Sequence, residues 1–252
     1  MSAPSTIGAA VAFAASALNS IAGGGTFLAF PTLTGVLGLS EKTANATCTV
    51  GLWPGFAAGI AAARNEFAAL ERRAIGRLAL VSAVGGALGG AMLLLTPAGL
   101  FREVVPILLG AGTIFFMAGP AVTHYLNRPN SHDAPATAAM PILLGISIYN
   151  GYFGAGGGVL AMAGLSATGM HDPRRANLFK TINQFASNAA AVAVLSYFGV
   201  AWPVARGMWI GALAGGWFGM RIANITPRPV LRVIVITSGT ILTIVYGWKA
   251  YG

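Results

Sequence analysis

Charge is what this sequence has least of. Only 8% of its 252 residues are Asp, Glu, Lys or Arg, against about a quarter in a soluble domain. With 56% hydrophobic residues and a mean hydropathy of +0.72, the chain cannot clothe a water-exposed surface. Acids are scarcer still. Glu41, Glu66, Glu71, Glu103, Asp133 and Asp172 all fall in loops or at the ends of apolar segments. Cation carriers and carboxylate proton relays place acids at membrane depth, and that is missing here. The three histidines, His124, His132 and His171, are peripheral as well. One cysteine, Cys48, rules out an internal disulfide and a cysteine-rich metal site. No nucleophile–base pair or metal-ligand set stands inside an apolar segment, so no enzyme, cofactor or metal centre is expected. The net charge of +9 is spread along the chain rather than clustered. It reads as basic residues flanking membrane spans and not as a nucleic-acid footprint.

What is present is apolar sequence in eight runs, at 6–37, 44–63, 74–95, 103–126, 136–170, 176–198, 203–222 and 229–250. The first run lacks the basic lead of a signal peptide and is read as retained. One crossing takes about 20 residues. Six runs have that length. The first and fifth are too long, and each is broken by a glycine triplet. The stretches are Asn19-Ser20-Ile21-Ala22-Gly23-Gly24-Gly25-Thr26-Phe27 and Asn150-Gly151-Tyr152-Phe153-Gly154-Ala155-Gly156-Gly157-Gly158-Val159. Glycine is costly inside a helix, so two such interruptions at matching places mark broken helices. The halves align further. Ala44-Asn45 matches Ala176-Asn177, and Gly85-Gly86-Ala87-Leu88-Gly89 matches Gly215-Gly216-Trp217-Phe218-Gly219. These last glycines lie in runs of normal length and read as helix-packing positions. The expected organisation is a first transmembrane repeat over 1–126, a linker over 127–135 and a second repeat over 136–252. Such duplication is common in secondary transporters.

Basic residues choose the topology. If all eight runs cross once, the two sides carry 7 and 8 Lys and Arg residues. If the first and fifth runs enter and return on one side, the counts become 11 and 4. The positive-inside rule favours the second arrangement. The arms after the triplets, Thr26–Leu37 and Val159–Met170, have 12 residues each, about 18 Å of helix. That is too short for a hydrocarbon core of about 30 Å. The expected fold is therefore all-α and polytopic, with two homologous, inverted halves. Each half comprises a re-entrant broken-helix hairpin and three transmembrane helices. The glycine tips then enter from opposite faces and can meet.

A helix N-terminus offers unpaired N–H groups and partial positive charge. Glycine lets an anion approach closely. Gly23, Gly24, Gly25 and Thr26 open one short helix, and Gly156, Gly157 and Gly158 open the other. The following helices each bring polar residues. Asp172 is an N-cap with Pro173 behind it, and Asn177, Lys180, Thr181, Gln184 and Asn188 then share one face. The first half supplies Asn45, Thr47, Cys48 and Thr49. The expected substrate-binding set is Gly23–Thr26 and Gly156–Gly158 with Asn45, Thr47, Asn177 and Lys180. Lys180 either snorkels to the headgroups or holds the anion.

These residues carry a resemblance. IAGGGTFLAFPTL…EKTANATCT, GYFGAGGGVLAM…DPRRANLFKT and the tail Gly219-Met220-Arg221-Ile222…Pro227-Arg228-Pro229-Val230-Leu231-Arg232 resemble the TauE/SafE sulfite exporters and anion permeases, the toluene-sulfonate uptake permease family. The resemblance covers nearly the whole chain. It implies a multi-pass protein of a prokaryotic inner membrane whose substrates are small anions, such as sulfur oxyanions or organosulfonates. The duplicated halves themselves suggest alternating access as the expected mechanism. A coupling ion (H+ or Na+), the lipid bilayer and a second copy of the chain are the other expected partners. An anion channel, or a membrane subunit of a complex without transport of its own, stays open as an alternative.

Overall fold

A computed structural model describes residues 3–126, 140–168, 170, 172–197, 199–223, 225 and 228–252. The linker 127–135 and histidines 132 and 171 lie outside the described residues. Most of the described residues are helical, and no strand occurs among them. The helices are α1 (Ala3–Ile21), α2 (Thr26–Pro31, continued by a π-helical stretch Thr32–Val36), α3 (Glu41–Ala62), the one-turn α4 (Arg64–Ala68), α5 (Arg72–Leu95), α6 (Ala98–Leu126), α7 (Met140–Tyr152), α8 (Gly157–Ala167), α9 (Pro173–Leu195), α10 (Trp202–Ile222) and α11 (Arg228–Tyr251). Three of the described stretches, Ala3–Ile21, Arg72–Leu95 and Ala98–Ala118, are both long and apolar enough to cross a membrane. This is a polytopic, all-α membrane protein.

Local signals set the helix starts. The Ser40 side chain accepts from the N–H of Thr43 and opens α3. Asp172 accepts from the N–H of Arg174 at 2.9 Å and opens α9, with Pro173 in the first turn. Small residues then decide the packing. Along α10, Gly207 meets Ser5, Gly211 meets Ala9, Gly215 meets Phe13 and Gly219 meets Ala17. A Cβ added at Gly211 would lie 1.9 Å from the Ala9 carbonyl oxygen, so the backbones touch. On another face of α10, Gly51, Gly55 and Gly59 of α3 meet Met208, Ala212 and Gly216 in that order. Hence α1, α3 and α10 run in one direction.

The same construction recurs on α5. Gly85 meets Ser147 and Gly89 meets Ile148 of α7, while Gly86 meets Ser187 and Gly90 meets Ala191 of α9. So α5, α7 and α9 also run together. The two trios point in opposite directions: Thr47, near the start of α3, bonds Ala201 just beyond the end of α9, and Ala63, past the end of α3, packs on Leu178 near the start of α9. Helices α6 and α11 pair antiparallel through Pro106 with Gly247, Gly110 with Thr243 and Gly239 with Thr113.

These directions decide the path of the long segments. Because α1 and α3 are parallel, the chain between them must return to the side it came from. α2 and its π-helical extension make that return. The same holds for α8 between α7 and α9, and Gly164 of α8 packs back on Ile142 and Ile146 of α7. Segments one and five are therefore hairpins, as the charge count favours. The positively charged ends agree. Arg64, Arg72, Arg73, Arg77, Arg174, Arg175 and Arg221 sit where α3 ends and α5 and α9 begin. At the opposite end Lys42 donates to the carbonyls of Leu94 and Thr96, and Arg102 donates to the carbonyl of Lys249.

Candidate functional site

The two hairpins begin their breaks in the same way, although Gly156 at the opening of α8 is left-handed with φ of +76° and Gly25 at the opening of α2 is not. The N–H groups of Ala22 and Gly23 both turn back to the Leu18 carbonyl, and those of Phe153 and Gly154 both turn back to Tyr149. Gly23 and Gly154 have φ of +86° and +77°, a region costly for residues with a Cβ. The next helix opens with bonds from Leu28 and Ala29 to Gly25, matched by Val159 and Leu160 to Gly156. The structural equivalents are thus Gly23 with Gly154 and Gly25 with Gly156. The triplets Gly23–Gly25 and Gly156–Gly158 are two residues out of step. The asparagines that precede them, Asn19 and Asn150, are in step.

The tips meet. A Cβ on Gly23 would lie 2.8 Å from the Cα of Gly158, and one on Gly158 would lie 2.7 Å from the Cα of Gly23. Gly24 abuts Val235 of α11 and Phe116 of α6, and Gly156 abuts Gly112 of α6 and Phe27. These neighbours are near the middle of long helices, so the junction sits at mid-depth in the bundle. Gly25 packs on the Ala15 carbonyl and donates its N–H to Asn19 Oδ1 at 2.7 Å. Gly157 packs against the amide of Asn150.

A small cavity of about 20 Å³ opens beside the junction, room for one or two waters. Its walls come from distant parts of the chain: Asn19, Thr26, Cys48, Thr49, Leu52 and Phe56, then Phe153, Gly154, Gln184 and Asn188. Some of these polar groups are already committed. Thr49 donates to the Asn45 carbonyl and Asn188 to the Gln184 carbonyl. Among the described residues the side chains of Thr26 and Gln184 make no hydrogen bond, although Gln184 is only 3% exposed. A hypothetical Cβ on Gly158 would lie 3.1 Å from Gln184 Nε2, so that amide stands at the mouth of the tip junction. The unspent side-chain groups serve in both senses: the Thr26 hydroxyl and the Gln184 amide can each donate or accept, and Asn45 Oδ1 and Asn150 Oδ1 are buried acceptors without a partner among the described residues. Such a set can bond a small polar ligand.

The other expected site residues have different work. Asn45 reaches across to the second hairpin and donates to the Tyr152 carbonyl at 2.8 Å, at the end of α7. Lys180 does the same for α1. Its ammonium donates to the carbonyls of Asn19 at 2.9 Å and Ser20 at 3.3 Å, and the side chain is 1% exposed. Lys180 therefore does not snorkel. A helix C-terminus carries partial negative charge, and these two contacts offset it beside the junction. Thr47 and Asn177 turn towards α10, where Thr47 accepts from the N–H of Ala201 and Asn177 lies against the Met220 sulfur. The expected set omits Asn19, Cys48, Thr49, Gln184 and Asn188 from the cavity wall. The signal for Asn19 was its repetition as Asn150 before each break. Gln184 and Asn188 were visible on the polar face of α9.

Residues 8–246 match the sequence profile described as Sulfite exporter TauE/SafE. The chain belongs to that family. The chain is also 26% identical over 235 residues to a probable membrane transporter protein, ORF9, of a Sinorhizobium species, covering 92% of this chain and 88% of that one. A probable membrane transporter protein of Haemophilus influenzae is 26% identical over 246 residues, covering 94% of both. No solved structure matches significantly. A TauE/SafE protein is a membrane transporter and not an enzyme, and the resemblance read from the duplicated glycine stretches is correct.

Proposed function

We propose that this protein is a secondary transporter of small oxyanions, of the sulfite or organosulfonate class, in a bacterial cytoplasmic membrane. The anion sits at the junction of the two glycine tips. One observation carries the reading. The two glycine tips touch at Gly23 and Gly158, and the cavity beside them is lined by Asn19, Thr26, Gly154 and Gln184. Tip N–H groups supply donors without side-chain bulk, and a cavity surrounded by protein tolerates such irregular backbone at depth. Hydrogen bonds to a charged partner are the stronger kind. The side rich in arginine is cytoplasmic by the positive-inside rule.

Asn45, Lys180 and the glycines Gly23–Gly25 and Gly156–Gly158 support the site by holding the tips in place. Thr47 and Asn177 act from behind, through the contacts of α3 and α9 with α10. Transport follows from alternating access, with the opposed trios rocking about the junction, coupled to a proton or sodium gradient. The narrow cavity favours a carrier that widens and recloses over a standing channel. A first test compares two alanines in proteoliposomes. Gly158→Ala forces a Cβ onto Gly23, whereas Gly145→Ala meets nothing within 4 Å. Sulfite and methanesulfonate flux should disappear in the first variant and persist in the second, with both proteins inserted. Equal flux in the two would remove the site from the tips.

A further inference from the structure

The cavity is closed on one side by an aromatic cluster to which nothing above assigns a role. Phe153 is part of the cavity wall and sits in the second tip, immediately before the positive-φ Gly154. Its ring meets Phe30 of α2 edge-on with centroids 5.6 Å apart, and Phe101 of α6 at 6.3 Å. Phe30 in turn meets Tyr246 of α11 at 5.4 Å, and Phe101 meets Tyr152 of α7 at 5.9 Å. Phe30, Phe101, Phe153 and Tyr246 are all buried. The Tyr246 hydroxyl is hydrogen-bonded to Thr34 in the π-helical stretch of α2.

The cluster lies between the cavity and the less basic face. Phe101 is in the first turn of α6, and Tyr246 is in the last two turns of α11. Those ends meet where Arg102 bonds Lys249, at the end of the bundle where α3 begins. The corresponding position in the first tip is not aromatic. Matched by the breaks at Leu18 and Tyr149, Phe153 corresponds to Ala22. The cavity therefore has a bulky aromatic stop on one side and no counterpart in the other tip. π-Helical turns recur at functional sites, and here one carries the hydroxyl tie to Tyr246.

We propose that Phe153 and Phe30, braced by Phe101 and Tyr246, form the outer gate of the transport pathway. They must separate for the cavity to open to the outer face. The described conformation is closed towards that face. The pair that parts lies on the two hairpins, Phe30 on α2 and Phe153 on the tip before α8, so opening the gate moves one hairpin against the other. This gate rests on the reading of the cavity as the substrate site.

Cys48 makes the proposal measurable. It is the sole cysteine of the chain, it lines the same cavity, and no disulfide competes for it. The full-length protein in vesicles of known orientation is treated from either face with a membrane-impermeant methanethiosulfonate, and the rate at Cys48 is read by mass. Wild-type Cys48 should react slowly from the outer face. Phe153→Ala combined with Phe30→Ala should raise that rate about tenfold or more, because local opening sets access to a shielded group. The rate from the basic face should stay as it was. If the double variant does not fold, Phe153→Leu and Tyr246→Phe should move the outer rate in the same direction by less. An outer rate unchanged in every folded variant, or one already equal to the inner rate in the wild type, overturns the gate. Methanesulfonate separates the two claims. Protection of wild-type Cys48 by this anion supports the cavity as the substrate site. Faster outer labelling in the variants without such protection keeps Phe153 and Phe30 as the barrier between Cys48 and the outer face, and overturns the cavity as the substrate site.

Discussion

Gln184 and Lys180 sit one turn apart on the same helix, and the structure gives them opposite parts. Lys180 carries the charge, yet its ammonium is engaged with the end of α1. Gln184 is neutral, and its amide is unspent beside Gly158. Sequence reasoning ranked the two the other way because charge is conspicuous in an apolar chain. Burying an ammonium costs several kcal/mol unless it is bonded, and the carbonyl ends of a broken helix are the nearest acceptors. That competition could not be seen without knowing where α1 stops. A prediction belongs to this scale. Gln184→Leu keeps the volume and removes the donor, so it should weaken oxyanion binding by about 1.5–3 kcal/mol, the worth of a hydrogen bond to a charged group. Titration of the detergent-solubilised protein by calorimetry checks this, and the thermal midpoint should barely move.

Among the elements, the hairpins were the most legible and their register the least. Abnormal segment length, glycine triplets and the charge count together gave the re-entrant path. The triplets then misled by two residues, because three glycines look alike in sequence while each break begins at a positive-φ glycine. Gly23 and Gly154 fill that position, and the second break has a further positive φ at Gly156, whose match Gly25 is at −62°. The glycines of α5 and α10 were read as packing positions, and the structure places them at backbone-to-backbone contacts. Gly86→Val tests this directly. Its Cβ would lie 1.9 Å from the Ser187 carbonyl oxygen, which neither helix can yield without separating. Overpacking of this kind costs about 1–3 kcal/mol, occasionally more, and two helices move together here. The variant should lose its monodisperse peak in size exclusion, whereas Gly76→Ala, with nothing within 4 Å, should keep it.

At the scale of the whole molecule, helices α1–α6 and α7–α11 are interlocked rather than side by side. α10 organises α1 and α3, and α5 organises α7 and α9. Sequence patterns along the chain do not give this exchange, because partners across the bundle share no local pattern. The opposed trios bring the two tips to one junction from opposite directions. Their topology has a separate check. In a Cys48→Ser background, Leu39→Cys and Met170→Cys lie just before α3 and α9. Hairpins place these two positions on opposite faces, and an impermeant maleimide should label them from opposite sides. Full crossings by the first and fifth segments would place both on the same face.

The central claim is that an oxyanion occupies the junction of the tips. Crystals of the full-length protein grown with selenite, whose selenium locates itself by anomalous scattering, measure that position. The predicted result is an anomalous peak between Gly23–Thr26 and 156–159, in contact with Gln184. A peak among the arginines of the basic face, with none at the junction, would contradict it.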